Sequence, residues 1–266
     1  WAVRRQRQMC IRDRYDTIQF KLLNSKMDKS KRFTTGEIIK RENITHDLWK
    51  IWLKIDEKFT FDPGQYCTVG YEGIERPYSI ASSPEEDLVE LFIELVPEPD
   101  GILTPLLYNL YEGEKVTLRK RAKGLFKFQN DFENQIMLTT VTGIAPIVSM
   151  MRSKNLDKSG HNIWIYEGAS YIDEFGYLEE LIDFSNKNKN INFVPTCSRP
   201  DDPKNRDWKG MTGRVNDIFF DVFKDINDAN KDNTIIYACG HPEMVSDIAE
   251  KYSEKYTFIE EKFWTP

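Results

Sequence analysis

Trp49, Ile51, Leu53 and Ile55 alternate with Lys50, Trp52 and Lys54, the two-residue period of a strand with one buried face. Val89, Leu91, Ile93 and Leu95 alternate with Glu90, Phe92 and Glu94 in the same way. Turn signals at Asp62-Pro63-Gly64 and Glu112-Gly113 punctuate short segments from Phe33 to Phe128, and Leu103 to Leu110 is a helix-like interruption. This rhythm predicts a small antiparallel β-barrel. After the polar stretch Gln129–Gln135 the period changes. Compact apolar runs at 136–141, 162–166, 191–195 and 234–238 are followed by helical patterns ending at Arg152 and spanning 173–184, 215–223 and 242–252, with 257–263 as a last strand. Strands alternating with helices predict a parallel sheet covered on both faces. The fold class expected is thus two-domain, a barrel at 33–128 followed by an α/β, Rossmann-like domain at 133–266.

The first residues stand apart. Residues 1–14 carry five Arg and one Asp without the apolar run of a secretory signal. Arg4 to Arg14 match the translated adapter of transposase-based sequencing libraries, so residues 1–14 are expected to be an assembly remnant. Residues 1–32 are expected to lie outside both domains, with Met27 the expected start.

Composition narrows the function. The 266 residues are 40% apolar and 30% charged with a net charge of −6, which suits a packed core and argues against a general nucleic-acid binder. Residues 1–26 hold seven basic and two acidic side chains, so the remainder has 30 basic against 41 acidic and a net charge of −11. No apolar run reaches a membrane span. Cys10, Cys67, Cys197 and Cys239 form no CxxC pair, and His46, His161 and His241 have no partners at metal spacing. No metal site is expected, and a reducing cytoplasm fits. Trp49 and Trp52 read as barrel packing, and Glu85, Glu86 and Asp87 as a solvated turn.

Four motifs lie at strand ends. Arg76-Pro77-Tyr78-Ser79 offers a cation for a phosphate, a flat aromatic for a ring and a hydroxyl for a ring edge. Gly101-Ile102-Leu103-Thr104 opens a helix, whose free amides favour a diphosphate. Val141-Thr142-Gly143-Ile144-Ala145-Pro146 carries a strand into a helix, as Ala238-Cys239-Gly240-His241-Pro242-Glu243-Met244 does. Such strand ends are where open α/β sheets bind ligands. Each motif alone is also an ordinary strand or helix boundary.

Their order and spacing, with the terminal Glu261-Lys262-Phe263-Trp264, resemble the ferredoxin–NADP reductase family, its bacterial subclass in particular, over Phe33 to Trp264. The resemblance implies an FAD-dependent oxidoreductase that moves hydride between NADPH and FAD, and single electrons between FAD and a ferredoxin or flavodoxin. Arg76 would pair with the FAD diphosphate, Tyr78 would pack on the isoalloxazine, and Ser79 would lie near its N5. Glu94, Leu95 and Val96 match the strand edging the flavin, and Gly101, Leu103 and Thr104 the diphosphate turn. Thr142, Gly143 and Pro146 match the NADP(H) loop. Cys239 and Gly240 match the segment beside the nicotinamide. Glu261 would help relay a proton, and Trp264 would stack on a cofactor, with Thr265 and Pro266 as extra residues beyond it. Arg199 and Arg214 match positions that clamp the 2′-phosphate, while Ser170 stands where the family has an Arg and Val141 where it has a Gly.

Lys115, Arg119, Lys120, Arg121 and Lys123 form a basic cluster, read either as residues flanking a strand or as a docking patch for an acidic carrier. The alternatives are an NADH-dependent flavin reductase component of an oxygenase system, and a non-enzymatic cofactor-binding regulator. A monomer without nucleic-acid or membrane partners is expected.

Overall fold

A computed structural model of the chain describes residues 32–223 and 229–262. Strands β1 (Phe33–Asn43), β2 (Leu48–Ile55), β3 (Tyr66–Tyr71), β4 (Ile74–Ser79), β5 (Val89–Glu94) and β6 (Lys115–Arg119) form one antiparallel sheet in the order β4-β3-β6-β1-β2-β5. A bridge from Ile80 to Leu91 draws its two edges together, so the barrel is nearly closed. Ile38, Trp49, Ile51, Leu53, Val69, Leu91 and Leu118 fill it. Helix α1 (Leu103–Tyr108) plugs one end through Leu103 and Leu107.

The second sheet is parallel. Strands β7 (Asn134–Thr140), β8 (Asn162–Ala169), β9 (Ile191–Cys197), β10 (Met211–Thr212), β11 (Thr234–Gly240) and β12 (Thr257–Lys262) run in the order β10-β9-β8-β7-β11-β12. Alternation along each strand feeds two cores. Met137, Ile163, Ile165 and Tyr237 pack with helices α2 (Ala145–Arg152) and α3 (Leu178–Lys187). Ile136, Leu138, Tyr166 and Ile236 pack on the opposite face with α4 (Val215–Val222) and α5 (Pro242–Tyr252).

The structure corrects the expected outward face of β2 and β5. Lys50, Glu90 and Phe92 are all buried, because the far side of this ribbon is the seam with the second domain. Leu48, Ala81, Phe92, Phe126 and Phe128 share one apolar cluster with Met137, Ile147 and Tyr177. Polar groups on the seam are matched across it. The Lys50 ammonium donates to the Gly176 carbonyl at 2.6 Å and lies 3.7 Å from the centre of the Tyr177 ring. Glu90 accepts from Arg152 at 2.5 Å and from the Tyr177 hydroxyl at 2.7 Å.

The turn at Glu85 to Asp87 also meets the second domain rather than solvent alone. Glu85 accepts from the Ser153 hydroxyl at 3.1 Å, and Glu86 lies 3.8 Å from Arg152. The helix expected at 173–184 begins later, at Leu178. Glu174 folds back to accept from the backbone of Ser170 and Tyr171. Gly176 then passes so close to the Phe92 ring that a β-carbon there would lie 2.7 Å from it.

Candidate functional site

Two concavities lie along the seam between the domains. The smaller, about 220 Å³, is walled by Tyr66, Pro77, Ser79, Glu261 and Lys262. Antiparallel pairing of β3 with β4 places Ser79 opposite Tyr66 and Tyr78 opposite Cys67. Arg76 is exposed and donates to the Glu75 carbonyl at 2.8 Å, so its charge meets no carboxylate among the described residues. Past β5, the Leu95 amide donates to the Asp47 carbonyl at 2.7 Å. Val96 is tied on both sides to Thr104, whose hydroxyl donates to its carbonyl and accepts from its amide. Gly101 lies against the Val96 carbonyl, where a β-carbon would collide. The Thr104 hydroxyl, expected at a diphosphate, is therefore spent on closing this turn. Trp264 lies outside the described residues.

Across the parallel sheet, strand pairing aligns Glu261, Cys239, Thr139 and Glu167 on consecutive strands β12, β11, β7 and β8. Glu261 reaches the smaller cavity, where Ser79 donates to it at 3.3 Å. Burial raises its carboxyl to about 7, against a lowering by the Ser79 hydroxyl. Glu261 thus changes charge near neutrality, as proton transfer requires. In ¹³C-glutamate NMR, with the signal assigned by its loss in Glu261→Gln, this carboxyl should titrate near pH 7. Ser79→Ala should move its midpoint upward, because the lost hydrogen bond favours the ionised form. A midpoint in the ordinary carboxylate range would show Glu261 to be solvated.

Cys239 is fully buried, and its thiol is pushed up first by burial and then by the charge of Glu261. It is a neutral, protonated wall of the site rather than a nucleophile.

The strand ends bring the remaining motif residues together. Gly240 has φ +126°, and a β-carbon there would lie 3.0 Å from the Thr140 amide. The His241 amide then donates to the Thr140 hydroxyl at 2.8 Å, and α5 begins. A β-carbon on Gly143 would come within 2.5 Å of the Cys239 carbonyl oxygen and 2.6 Å of the Thr139 hydroxyl. The turns after β7 and β11 can pack only because both residues are glycine. Val141 keeps a left-handed backbone, with φ +44°, at a cost of about 1–2 kcal/mol for a residue with a β-carbon. Such strain is held by its surroundings and gathers at ligand-binding turns. Thr142, Gly143 and Pro146 are buried beneath it.

The larger cleft, about 500 Å³, lies over these strand ends and includes Glu94, Thr142, Ser170, Arg199, Arg214 and Gly240 in its lining. Asn216 and Glu243, in the first turns of α4 and α5, also line it. Helix N-termini favour an anion. Glu94 and Glu174 sit at the wall shared with the barrel, and burial first, then repulsion from neighbouring acids including Asp47, raises both carboxyls. Arg199 and Arg214 lie toward β9 and β10.

The basic cluster on the barrel is largely neutralised. Lys115 pairs with Glu37 at 3.4 Å, Arg119 with Glu75 at 2.6 Å and Lys120 with Glu57 at 2.7 Å. Arg121 and Lys123 meet no carboxylate at ion-pair distance among the described residues. Sequence reasoning also missed Tyr66 in the smaller cavity and Glu167 in the cross-sheet row. Tyr66 follows a turn and reads as any strand entry, and Glu167 sits in an apolar run where only strand register reveals its neighbours. Among the described residues, no cluster of His, Cys, Asp and Glu has the form of a metal site, and no helix is long and apolar enough to cross a membrane.

Residues 137–250 match the oxidoreductase NAD-binding domain. The chain is 29% identical over 203 residues to protein RfbI of Salmonella typhimurium, covering 76% of this chain and 58% of RfbI. It is 28% identical over 212 residues to the phenol hydroxylase P5 protein of Acinetobacter pittii, covering 78% of this chain and 58% of that one. The chain therefore spans little more than half the length of these two relatives. With the flavodoxin/ferredoxin–NADP reductase of Escherichia coli it shares 27% identity over 225 residues, 81% of this chain and 88% of the relative. Its fold matches a ferredoxin NADP+ reductase from Neisseria gonorrhoeae, solved with bound FAD and NADP, with a TM-score of 0.73 at 23% identity over 88% of this chain and 99% of that one.

Proposed function

We propose that the chain is a member of the ferredoxin–NADP reductase family, an FAD-dependent reductase exchanging electrons between NADP(H) and a ferredoxin or flavodoxin. The observation that carries this reading is the bond between Ser79 and Glu261 across the two domains, beside the strand ends under the larger cleft. The hydroxyl of Ser79 and the carboxyl of Glu261 meet in the smaller cavity, and the glycine turns under the larger cleft abut the same carboxylate-bearing row of strands.

The residues present fit both cofactors. Arg76 and Tyr78 would hold FAD, with the strand end at Glu94, Leu95 and Val96 and the tight turn at Gly101 shaping the wall beside it, and Leu103 anchoring that turn from within the barrel. Thr142, Gly143, Pro146 and Gly240 would receive the nicotinamide end of NADP(H). A bound flavin supplies the conversion between two-electron and one-electron transfer. The chain's own part is positioning and proton handling. The glycines let a flat ring approach the strand ends, Cys239 fills the wall without adding charge, and Ser79 and Glu261 hold or release a proton at the Glu261 carboxyl. Arg121 and Lys123, beside Gly124 where the chain passes Tyr66 and Glu261, meet no carboxylate at ion-pair distance among the described residues and suit an acidic carrier.

Arg199 and Arg214 would pair with the 2′-phosphate, and guanidinium suits two-point pairing to phosphate. Replacing both by Ala should lower kcat/KM for NADPH about 100-fold, at about 1.5 kcal/mol for each charge-assisted bond, and leave that for NADH within about threefold. Equal losses with both nucleotides would overturn their assignment. Similarity to the phenol hydroxylase P5 protein favours a second reading, a reductase serving an oxygenase system. It predicts that the unaltered protein prefers NADH.

A further inference from the structure

One buried cation of the barrel takes no part in the site described above. Lys50 lies on β2 and is 7% exposed, and among the described residues no carboxylate lies at ion-pair distance from it. Its ammonium instead crosses the seam. It donates to the Gly176 carbonyl at 2.6 Å and stands 3.7 Å from the centre of the Tyr177 ring. Burying an ammonium is costly unless it is paired, and an apolar side chain would join two domains at less cost. What the ammonium adds is direction, because a hydrogen bond fixes where one carbonyl sits.

That carbonyl lies near the end of a segment, 170–177, that walls the larger cleft through Ser170 and Glu174. Glu174 accepts from the amides of Ser170 and Tyr171 at 2.8 and 3.1 Å, which folds the segment into one unit. Its own domain holds it twice. Asn205, 2% exposed, donates to the Ser170 carbonyl and accepts from the Ile172 amide, both at 2.9 Å. Phe175 stacks on Trp208, with ring centres 5.3 Å apart.

The remaining hold comes from the barrel. Phe92 packs where a β-carbon on Gly176 would lie 2.7 Å from its ring, and Glu90 accepts from the Tyr177 hydroxyl. Lys50 supplies the bond to the segment's backbone. Like charge works against this hold. Burial raises the carboxyls of Glu94 and Glu174 most, and Asp47 of the barrel raises both further. These acids repel one another across the seam, and the Lys50 bond keeps the segment in place against them.

We propose that Lys50 is a positioning residue for the nucleotide, holding the segment 170–177 where it walls the larger cleft, so that a dinucleotide meets a preformed site. The inference rests on the nucleotide reading above. It goes beyond it because Lys50 belongs to the barrel and is not part of the cleft lining. A segment already fixed loses little further freedom on binding, and that saving appears as affinity. The position of a wall is a matter of shape, so the saving is the same with or without a 2′-phosphate.

The test is isothermal titration calorimetry of the FAD-loaded full chain with NADP+ and, separately, NAD+, beside the steady-state constants for the reduced nucleotide. Lys50→Met keeps the bulk of the side chain and removes the donor. It should weaken both nucleotides by the same factor, about tenfold. KM should rise about as much with kcat within about twofold, because ground state and transition state lose the wall alike. Gly176→Ala, whose β-carbon would push the segment off Phe92, should do the same, and it carries the test if Lys50→Met does not fold. A lower melting temperature with unchanged nucleotide affinity would make Lys50 a seam contact only, and the proposal fails. A loss confined to NADP+, or a fall in kcat with KM unchanged, would mean that Lys50 acts through its charge or on the chemical step, and the proposal fails as well. If the unaltered protein binds neither nucleotide, the nucleotide reading itself falls.

Discussion

Glu90→Ala is expected to destabilise the chain by about 3–5 kcal/mol, the usual penalty for breaking a buried ion pair by removing one partner. Glu90 is 1% exposed on the barrel and faces Arg152 and Tyr177 of the second domain. Without it, the Tyr177 hydroxyl loses its acceptor. The Arg152 guanidinium keeps its two bonds to Glu180, at 2.7 and 2.8 Å, within its own domain, and across the seam only a long bond to the Ala81 carbonyl at 3.4 Å and the Glu86 carboxylate at 3.8 Å. The loss therefore falls on the seam. Urea unfolding followed by tryptophan fluorescence at pH 7 should show a lower midpoint and two resolved transitions where the unaltered chain shows one. A midpoint shift worth less than about 1 kcal/mol would mean that the pair behaves as a solvated surface contact.

Glu167→Leu should act in the opposite direction. Glu167 is fully buried, and neither carboxylate oxygen has a hydrogen-bond partner among the described residues. Burial raises its carboxyl well above the ordinary value, and the nearby Lys50 ammonium only partly offsets this. A group raised in the folded state favours folding in acid and loses that contribution as pH rises above its unfolded value. Stability of the unaltered chain should accordingly fall as pH climbs from about 4.5, where unfolded chains begin to ionise. Glu167→Leu should be more stable by about 1–3 kcal/mol at alkaline pH, the cost of a buried unsatisfied polar group, with the gap narrowing toward acid. Glu167→Gln keeps the polar atoms but removes this group's pH slope. Thermal unfolding from pH 5 to pH 8 reads both effects, at pH values spanning the expected change. A gap that does not vary with pH would show that Glu167 is ionised and paired.

What could be read from the residues, and what could not, follows from locality. The change of period after Gln129 announces the second domain, because alternation and helical spacing are local consequences of burying one face. The motif glycines were legible for a similar reason, since Gly143 and Gly240 sit where backbone approaches backbone. Lys50, Glu90 and Phe92 were misread because a single strand cannot reveal that its second face is covered by another domain. Thr104 reads as a ligand hydroxyl until its bond to Val96 is seen.

The candidate site divides the same way. Ser79, Cys239 and Glu261 are named by motifs, but their meeting depends on parallel pairing of β11 with β12 and on a contact across 182 positions. The basic cluster shows the converse, since charges adjacent in sequence are neutralised by acids from other strands and turns.

Hydride transfer from NADPH to a bound flavin, as proposed above, is read directly in the visible spectrum of the FAD-reconstituted protein on anaerobic mixing with NADPH and, separately, NADH. A yellow protein is expected, with flavin absorbance that bleaches at least about tenfold faster with NADPH. A protein that retains no flavin after reconstitution, or one whose flavin neither nucleotide reduces, would contradict it.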